Sequence, residues 1–427
     1  MAQKGQKIAV IGAGISGLAS AYFLARQHDV VLYEAADYLG GHSNTVDVTL
    51  DGKTFAVDTG FLVFNEATYP NLIALFEELD VASYATDMSF GVSLDQGCFE
   101  WAGTSLDSVF AQRGRALSPA FLGMLRDILR FNRSARANLA AALAQPLTLA
   151  QLITSGNYGR LFRDAYLLPM AAAIWSSSAA DILDFPASTL LRFCLNHGLL
   201  QVNGRPQWRT VLGGARSYVR RLAEQLPQVR LSSRVTQVCK DGDRLVVRTD
   251  VSQDRFDAVI FATHAPQTLR LLSDASAAER SLLGAARYQS NVAYLHTDPA
   301  LMPRRRKVWS SWNYLGAAAV EGRRPVCVSY WLNQLQALPC STDLMVTLNP
   351  YTMPAAKHVI ERFEYEHPIF DQTAIAAQQQ LAAIQGQRGI WFAGAWTGYG
   401  FHEDGLKSAL RVAADFGVAP AWAKVAP

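Results

Sequence analysis

The first 34 residues follow a pattern that few folds accommodate. A short apolar run at residues 7–11 leads at once into the glycine motif GAGISG at residues 12–17, which opens a helical run to about residue 26. A second apolar run at residues 30–33 ends on an acid, Glu34. Short β-branched runs of this kind are typical of parallel strands buried on both faces. Because strand, turn, helix, strand and acid occur in this order, the pattern predicts a Rossmann-type dinucleotide-binding unit.

Each position of the motif has a physical reason. Gly12 allows the tight turn, Gly14 lets a pyrophosphate approach the backbone, and Gly17 lets the helix pack closely on the strand. Ser16 stands in the first helical turn, where free N–H groups and the helix dipole favour phosphate. Glu34 follows Gly14 by 20 residues, where its carboxylate is expected to accept hydrogen bonds from ribose hydroxyls. An acid there also disfavours NADP, because it would repel the 2′-phosphate.

Composition narrows the class of protein further. The chain has 427 residues, 50% of them apolar and 18% charged, which predicts two globular domains. The net charge of +3 predicts no nucleic-acid partner. Five scattered cysteines without a CxxC pair predict reduced thiols in the cytoplasm, with neither disulfides nor a metal site. The apolar run at residues 8–25 is explained better by the spaced glycines than by a signal peptide or membrane anchor.

A second glycine motif follows the acid. Residues 39–45 read LGGHSNT, with the doublet Gly40-Gly41, and residues 55–60 read FAVDTG. These segments resemble the flavin-containing amine oxidase superfamily, which includes monoamine oxidases, protoporphyrinogen oxidases and carotenoid desaturases. The resemblance implies FAD as the cofactor, with the doublet running along its pyrophosphate and ribityl chain, and His42 in place of the usual arginine. A neutral imidazole is a weaker phosphate partner than a guanidinium. FAD contacts are also implied for Asp58, Thr59 and Gly60.

Three later segments carry the same resemblance. Residues 234–238 and 244–249 predict paired strands, and residues 257–266 predict a strand followed by Ala-Thr-x-x-Pro. Residues 390–394 predict a buried strand that leads to a helix from about residue 406 to residue 415. By resemblance, FAD contacts are implied for Val235, Ala262, Thr263, Gly394, Gly405 and Leu406.

The resemblance therefore implies an α/β fold assembled from interleaved segments. A Rossmann-type FAD-binding domain of the amine-oxidase type is expected from residues 1–85, 205–275 and 386–420. An α+β substrate-binding domain is expected from residues 86–204 and 276–385. Its second part is expected to contain aromatic-rich strands at residues 309–314 and 328–331.

One branch of the superfamily matches further blocks in their order along the chain. These blocks are residues 168–170, 174–176, 185–186, 196–198, 205–208, 212–219 and 295–298. They resemble mostly bacterial, predicted NAD/FAD-binding proteins that are often encoded beside cyclopropane-fatty-acid-synthase-like methyltransferases. Some members look like the desaturase of furan fatty acid synthesis. The resemblance implies a small hydrophobic or lipid substrate such as a fatty acyl chain, while no residue pattern identifies the electron acceptor.

Two departures from the superfamily bear on the reaction. Its amine oxidases place a lysine near flavin N5 on the strand that corresponds to residues 288–295, which contain no lysine. The usual alanine, glycine and glutamate after the last strand are replaced by Gly394-Ala395-Trp396. Both departures favour desaturation or double-bond isomerisation by hydride transfer to the flavin. Two alternatives stay open: an FAD-dependent amine oxidase, and a non-catalytic flavin- or lipid-binding protein.

Desaturation needs a hydride acceptor and a base for the second proton. The candidate bases are His402, Glu403 and Asp404, followed by His264 and His42. For each of them the competing interpretation is a structural hydrogen bond or a phosphate contact.

A basic helix is predicted after Ser118-Pro119, an N-cap followed by proline at the first helical position. Arg126, Arg130 and Arg133 fall within about 60° of one another on a helix of 3.6 residues per turn. This stripe is either a solvated face or a peripheral contact with an anionic membrane surface.

Overall fold

The structure, a computed structural model, describes residues 5–175, 179–201, 204–317 and 327–424, and no side chains at 179–181. Ser176, the last residue of the block at 174–176, lies outside these ranges. The strands are β1 (Lys7–Ile11), β2 (Asp29–Tyr33), β3 (Thr45–Leu50), β4 (Lys53–Asp58), β5 (Phe64–Asn65), β6 (Ser83–Thr86), β7 (Phe90–Leu94), β8 (Phe99–Ala102), β9 (Trp208–Val211), β10 (Gln228–Arg230), β11 (Val235–Asp241), β12 (Arg244–Thr249), β13 (Gln253–Phe256), β14 (Ala258–Phe261), β15 (Tyr288–His296), β16 (Trp312–Gly316), β17 (Cys327–Trp331), β18 (Met345–Leu348), β19 (Val359–Pro368) and β20 (Ile390–Phe392).

The helices lie between these strands and cover their sheets. They are α1 (Ile15–Leu24), α2 (Pro70–Glu78), α3 (Leu106–Val109), α4 (Pro119–Ala144), α5 (Leu149–Ser155), α6 (Arg160–Phe162), α7 (Leu168–Trp175), α8 (Ala179–Asp184), α9 (Ala187–Asn196), α10 (Arg216–Ala223), α11 (Ala265–Leu271), α12 (Ala277–Ala285), α13 (Leu332–Leu335), α14 (Gln372–Gln380) and α15 (His402–Asp415). In the described ranges, none of them combines the length and the apolar character that crossing a membrane requires.

The first sheet is parallel and has the strand order β10-β2-β1-β14-β20. Its strands come from three separated parts of the chain, and both of its faces are buried. Ile8 and Val10 of β1 face a core shared with α1, α10 and α15, whereas Ala9 and Ile11 face the antiparallel sheet β11-β12-β13. The paired strands β11 and β12 are therefore present as predicted. Alternation along β1 thus fixes a three-layer arrangement.

A second sheet has strand order β19-β15-β18-β17-β16-β7-β8 and is antiparallel except where β16 pairs with β7. Helices α4 to α9 cover one face, where Phe131, Phe162 and Trp101 belong to one buried cluster. The hairpin of β3 and β4 covers the other face through Val48 and Val57. The division of the chain into cofactor and substrate domains proposed above stays a prediction.

A π-helical turn, Arg163–Leu167, joins α6 to α7. Pro169 lacks an N–H, so it cannot donate to the carbonyl of Ala165 four residues earlier. The indole of Trp101 supplies that hydrogen bond instead, at 3.0 Å. The substrate-side sheet is thereby tied to the helical layer through a buried polar contact.

Two predicted boundaries are wrong, each for a local reason. Helix α15 begins at His402 and not near residue 406, because the carboxylate of Asp404 accepts the N–H of Phe401 at 3.1 Å and caps the helix earlier. Strand β16 begins at Trp312, because the N–H groups of Ser310 and Ser311 donate to side chains instead of a neighbouring strand.

Candidate cofactor and active site

The glycine loop and the glycine doublet form a single cradle. Gly14 is the N-cap of α1 and has no side-chain cap. A Cβ atom at Gly14 would meet no atom within 4 Å, whereas one at Gly41 would lie 3.3 Å from Gly14 Cα. The N–H of Gly40 donates to Ala13 O at 2.9 Å and holds the doublet against the loop. The free N–H groups of α1, with Ser16 in its first turn, therefore face open space bordered by bare backbone.

The other two glycines of the motif act through packing. Gly12 has φ +99°, and a Cβ there would lie 2.9 Å from Ala262 O on the neighbouring strand end. A Cβ at Gly17 would overlap the carbonyl of Gly12. The neighbouring Thr263 donates to or accepts from Thr268 at 2.7 Å. The tight turn and the close contact of helix and strand that the motif predicts are both present.

Glu34 braces the loop from the end of β2. One carboxylate oxygen accepts the N–H of Ala13 at 2.7 Å, and the other accepts the N–H of Ala36 at 2.9 Å. Each oxygen keeps a further lone pair. The ribose contact of Glu34 stays a prediction that this geometry permits.

His42 belongs to a group of histidines beside the doublet. Its ring centroid lies 5.4 Å from that of His367 and 6.3 Å from that of His264, with Tyr365 at 5.1 Å. Burial, and then the neighbouring histidines, lower the pKa of His42 well below its usual value, and burial lowers the pKa of His367 to about 4. His264 is hydrogen-bonded to Glu366 at 2.9 Å. His42 Nε2 is buried without a hydrogen-bond partner in the described residues. This atom of a neutral ring can therefore form a hydrogen bond with a bound group.

His402, a predicted catalytic residue, is held by two hydroxyl groups. Its Nε2 lies 2.8 Å from Ser43 Oγ and 2.8 Å from the hydroxyl of Tyr218, which also contact each other. Its ring stacks on Phe61 at a centroid distance of 3.6 Å. Burial lowers the pKa of His402 to about 3. The imidazole is therefore neutral and held in one orientation. Its hydrogen bond to Ser43 connects α15 to the segment after the doublet. Sequence reasoning missed Ser43 and Tyr218 as its partners, although Ser43 stands in the motif.

Asp58 joins three separate segments next to the site through hydrogen bonds. Its Oδ1 accepts the Thr45 hydroxyl at 2.5 Å and the Ala215 N–H at 2.9 Å, and its Oδ2 accepts Gln336 Nε2 at 3.0 Å. Gln336 Oε1 accepts the Asp58 N–H at 3.1 Å, so the amide is held in one orientation. Asp58 is 1% exposed. In the described structure its carboxylate is occupied by protein groups.

Thr59 and Gly60 continue this support. The Thr59 hydroxyl lies 2.8 Å from the Tyr365 hydroxyl and donates to Asn44 O at 3.1 Å. A Cβ atom at Gly60 would overlap the carbonyl of His42. The two residues therefore position the segment that carries His42.

Replacing Asp58 should cost stability. In Asp58→Asn the new amide nitrogen would face Gln336 Nε2, which leaves two buried donors opposed. We expect the free energy of unfolding to fall by about 1–3 kcal/mol, the usual cost of an unsatisfied buried polar group. Urea unfolding followed by circular dichroism would measure it, with Asp37→Asn at an exposed position as the control. A loss no larger than that of the control would contradict this role for Asp58.

The remaining predicted FAD contacts lie around the parallel sheet. Val235 opens β11 and is 6% exposed, and the N–H of Gly394 donates to Ser408 Oγ at 2.8 Å. A Cβ atom at Gly405 would lie 2.8 Å from Ile15 and 2.9 Å from Ser16 Oγ. Leu406 is fully buried. Gly405 thus allows α15 to contact the first turn of α1, and so brings α15 to the cradle.

Glu403, a predicted catalytic residue, has a structural role in the described structure, and its catalytic role stays a prediction. Helix α2 has no side-chain cap of its own. Glu403 Oε1 accepts the Asn71 N–H at 3.1 Å and Nδ2 at 2.6 Å, and Oε2 accepts the Leu72 N–H at 3.0 Å. The carboxylate therefore caps α2 from another helix.

Asp404 lines a cavity of 270 Å³ at the first turn of α15. Its walls include Tyr69, Asn196, His197, Tyr399, Phe401 and Lys407. Burial raises the pKa of Asp404 from 3.8 to about 6, against the lowering effects of the Phe401 N–H and of Lys407. Glu403 also lines the cavity but caps α2, whereas the Asp404 carboxylate accepts the Phe401 N–H at the start of its own helix.

His197 is a wall residue that sequence reasoning did not single out, although it stands in the block at 196–198. Its Nδ1 donates to Phe193 O at 3.0 Å, and burial lowers its pKa to about 4. The neutral ring therefore carries its proton on Nδ1 and leaves Nε2 as an acceptor. His197 stacks on Phe193 at 3.9 Å, and Phe193 stacks on Phe401 at 4.7 Å. This wall of the cavity is aromatic and uncharged.

The residues present fit FAD. Open space before Gly14 suits a pyrophosphate, since any side chain there would fill it. The uncapped N-terminus of α1 offers N–H groups to the phosphates. The buried, unpartnered Nε2 of His42 suits a neutral polar atom of the cofactor. FAD is thus the expected cofactor, and the loop, the doublet and Glu34 remain the groups predicted to hold it.

The chain is similar to known flavin-containing and carotenoid-modifying proteins. A protein of Mycobacterium tuberculosis named as a flavin-containing monoamine oxidase is 28% identical over 60% of this chain and 56% of its own length. A carotenoid phi-ring synthase of Streptomyces griseus is 30% identical over 70% of this chain and 59% of its own length. The chain thus spans somewhat more than half the length of these curated relatives.

Solved structures share the fold. A CLA-producing fatty acid isomerase from P. acnes superposes with a TM-score of 0.69 at 13% identity, over 97% of this chain and 100% of the other. At that identity the likeness concerns the fold, and it confirms the predicted combination of a Rossmann-type FAD domain with a second α+β layer. Residues 15–331 match flavin-containing amine oxidoreductases, and the chain belongs to that family.

Proposed function

We propose that the protein is an FAD-dependent oxidoreductase that removes a hydride and a proton from neighbouring carbons of a fatty acyl chain. The loss of both creates a carbon–carbon double bond, and return of the hydride and of a proton to different carbons would then leave an existing double bond in a new position. Two similar proteins carry names that refer to hydrophobic chains, a carotenoid and a fatty acid. These names support a hydrophobic substrate for this chain.

The observation that carries the proposal is the cavity beside the cradle. Helix α15 borders both, because His402 contacts Ser43 next to the doublet while Asp404 lines the cavity. The walls offer stacked aromatic rings and one carboxyl group with a raised pKa. Desaturation of an acyl chain needs an apolar site that excludes water and a base that accepts one proton.

The residues divide the work as follows. Bound FAD supplies the hydride acceptor. The Asp404 carboxylate takes the proton, and the Phe401 N–H and nearby Lys407 stabilise the charged form on which this depends. The ring of Phe401, which lines the cavity and stacks on Phe193 behind it, contacts the chain and keeps water out. Strand β15 contains no lysine, so an amine-oxidase mechanism that relies on a lysine there has no counterpart.

Mass spectrometry of lipid extracts tests the proposed substrate. Cells that make the protein should contain acyl chains that are lighter by two hydrogens, or isomers with a moved double bond. Cells that lack it, or that make Asp404→Asn, should contain neither. Unchanged lipids in the presence of flavin-loaded wild-type protein would contradict the proposal.

A further inference from the structure

Residues 105–145 concentrate both positive charge and exposed leucine. This segment has six arginines and two aspartates, a net charge of +4, while the whole chain has +3. It also contains five of the strongly exposed large apolar side chains of the described structure: Leu106, Leu117, Leu122, Leu129 and Leu143. Leu117 is 87% exposed. Isolated exposed leucines need no explanation, but a cluster among arginines does.

Helix α4 arranges these residues on one face. Counting 100° per residue, Leu122, Arg126, Leu129, Arg133 and Arg136 lie within about 80° of one another. They extend over about 21 Å of helix, and Leu117 precedes them in the turn Arg113–Leu117. We call these six residues the arginine–leucine face. Most buried side chains of α4, such as Met124 and Phe131, point to the opposite side.

The stripe predicted from the sequence needs one correction. Arg130 donates to Gly156 O at 2.7 Å and to Asn157 O at 2.9 Å, and its guanidinium lies 4.1 Å from the Tyr158 ring centroid. It also contacts Asp127, which is 3% exposed. Arg130 therefore stabilises the turn after α5, and its guanidinium is not free to bind a second molecule.

The other arginines of the face are available. The Arg126 side chain is 81% exposed and lies 3.9 Å from the Asp127 carboxylate. Arg133 and Arg136 are exposed, and within the described ranges neither forms an ion pair. Three guanidinium groups thus project from a surface whose remaining large side chains are leucines.

We propose that the arginine–leucine face docks the protein on an anionic lipid bilayer. Leucines can enter the boundary between headgroups and acyl chains while guanidinium groups meet lipid phosphates. Arginine and leucine side chains on one face match the two regions of such a bilayer, which carries negative charge at its headgroups and hydrocarbon below them. The contact does not depend on the reaction proposed above and is tested without turnover.

Vesicle co-sedimentation of the flavin-loaded protein tests it, with phosphatidylcholine vesicles and vesicles that also contain phosphatidylglycerol. Binding should require the anionic lipid and weaken as salt rises. Arg126→Gln, Arg133→Gln and Arg136→Gln together should lower the partition coefficient on the order of 100-fold, since each charge contributes ~1 kcal/mol. The corresponding triple lysine variant should retain binding.

The leucines are tested in the same way. Leu117→Gln, Leu122→Gln and Leu129→Gln together should abolish sedimentation, whereas Val251→Gln with Met353→Gln, exposed elsewhere, should not. All variants should keep their flavin. Unchanged sedimentation of the glutamine variants would overturn the proposal. A wild-type dimer in solution that the leucine variants convert to a monomer would also overturn it, because the face would then join two copies.

Discussion

Gly14→Val should yield a folded protein that binds no FAD. A Cβ atom at this position would meet no protein atom within 4 Å, and the backbone has φ −70°, so we expect the polypeptide to tolerate the substitution. The same side chain fills the space that the pyrophosphate must enter and shields the N–H groups of α1. Overlap of this kind costs about 1–3 kcal/mol before the lost hydrogen bonds are counted, so affinity should fall on the order of 100-fold or more.

Flavin absorbance per chain after purification, followed by titration of FAD into the flavin-free protein, measures this effect. Wild-type protein should carry one FAD that heat or acid releases intact, because no residue pattern indicates a covalent bond to flavin. Gly103→Val is the matched control, since a Cβ atom there also meets nothing within 4 Å and Gly103 follows β8 in the other sheet. Stoichiometric FAD in Gly14→Val would show that the cradle is misplaced. Gly17→Ala should instead fail to fold, because its Cβ overlaps Gly12 O.

Asp404→Asn should lower turnover by about 10²–10⁴-fold while FAD stays bound, the range that loss of a general base produces. The base acts as a carboxylate, and burial raises its pKa to about 6. Wild-type turnover should therefore fall as pH decreases through about 6, and the asparagine variant should lack this dependence. Glu403, Lys407, His197 and Tyr69 surround Asp404, so each can shift the midpoint.

The same shift has a consequence for stability. The pKa of Asp404 is higher in the folded protein than its ordinary 3.8, so the folded state binds more protons between about pH 4 and pH 6. This group's contribution to the free energy of unfolding is then complete below about pH 4 and is lost as pH rises through about 6. Asp404→Asn should reduce that slope, while the part due to Asp58, whose pKa burial also raises to about 6, should remain. Glu403→Gln is the control: it should weaken the cap of α2 and keep the fall of turnover at low pH, with a lower midpoint because the negative charge of Glu403 raises the pKa of Asp404. An unaltered profile in Asp404→Asn would exclude it as the base.

The cradle could be predicted from the sequence because its glycines have local reasons. All three reasons lie within one strand–turn–helix unit. The structure has the tight turn at Gly12, the open space at Gly14 and the close contact of helix and strand at Gly17. The doublet was also predictable, although its contact with Gly14 depends on a fold that brings the two loops together.

The roles of charged side chains could not be predicted, because they depend on partners far along the chain. Glu403 caps a helix that begins more than 300 residues earlier. Arg130 looks like one of three equal cations on a helical stripe, but a turn after the next helix supplies its acceptors. Periodicity assigns a residue to a face and says nothing about which distant backbone groups lie opposite it.

Anaerobic mixing of the flavin-loaded protein with candidate substrates tests the central claim most directly. Acyl lipids presented in vesicles should bleach the oxidised flavin with one new double bond per flavin, or yield a moved double bond without net bleaching. Polyamines and aromatic amines should do neither, because β15 offers no lysine. Rapid bleaching by such an amine, with the corresponding aldehyde as product and no change in acyl lipids, would contradict the account and identify an amine oxidase.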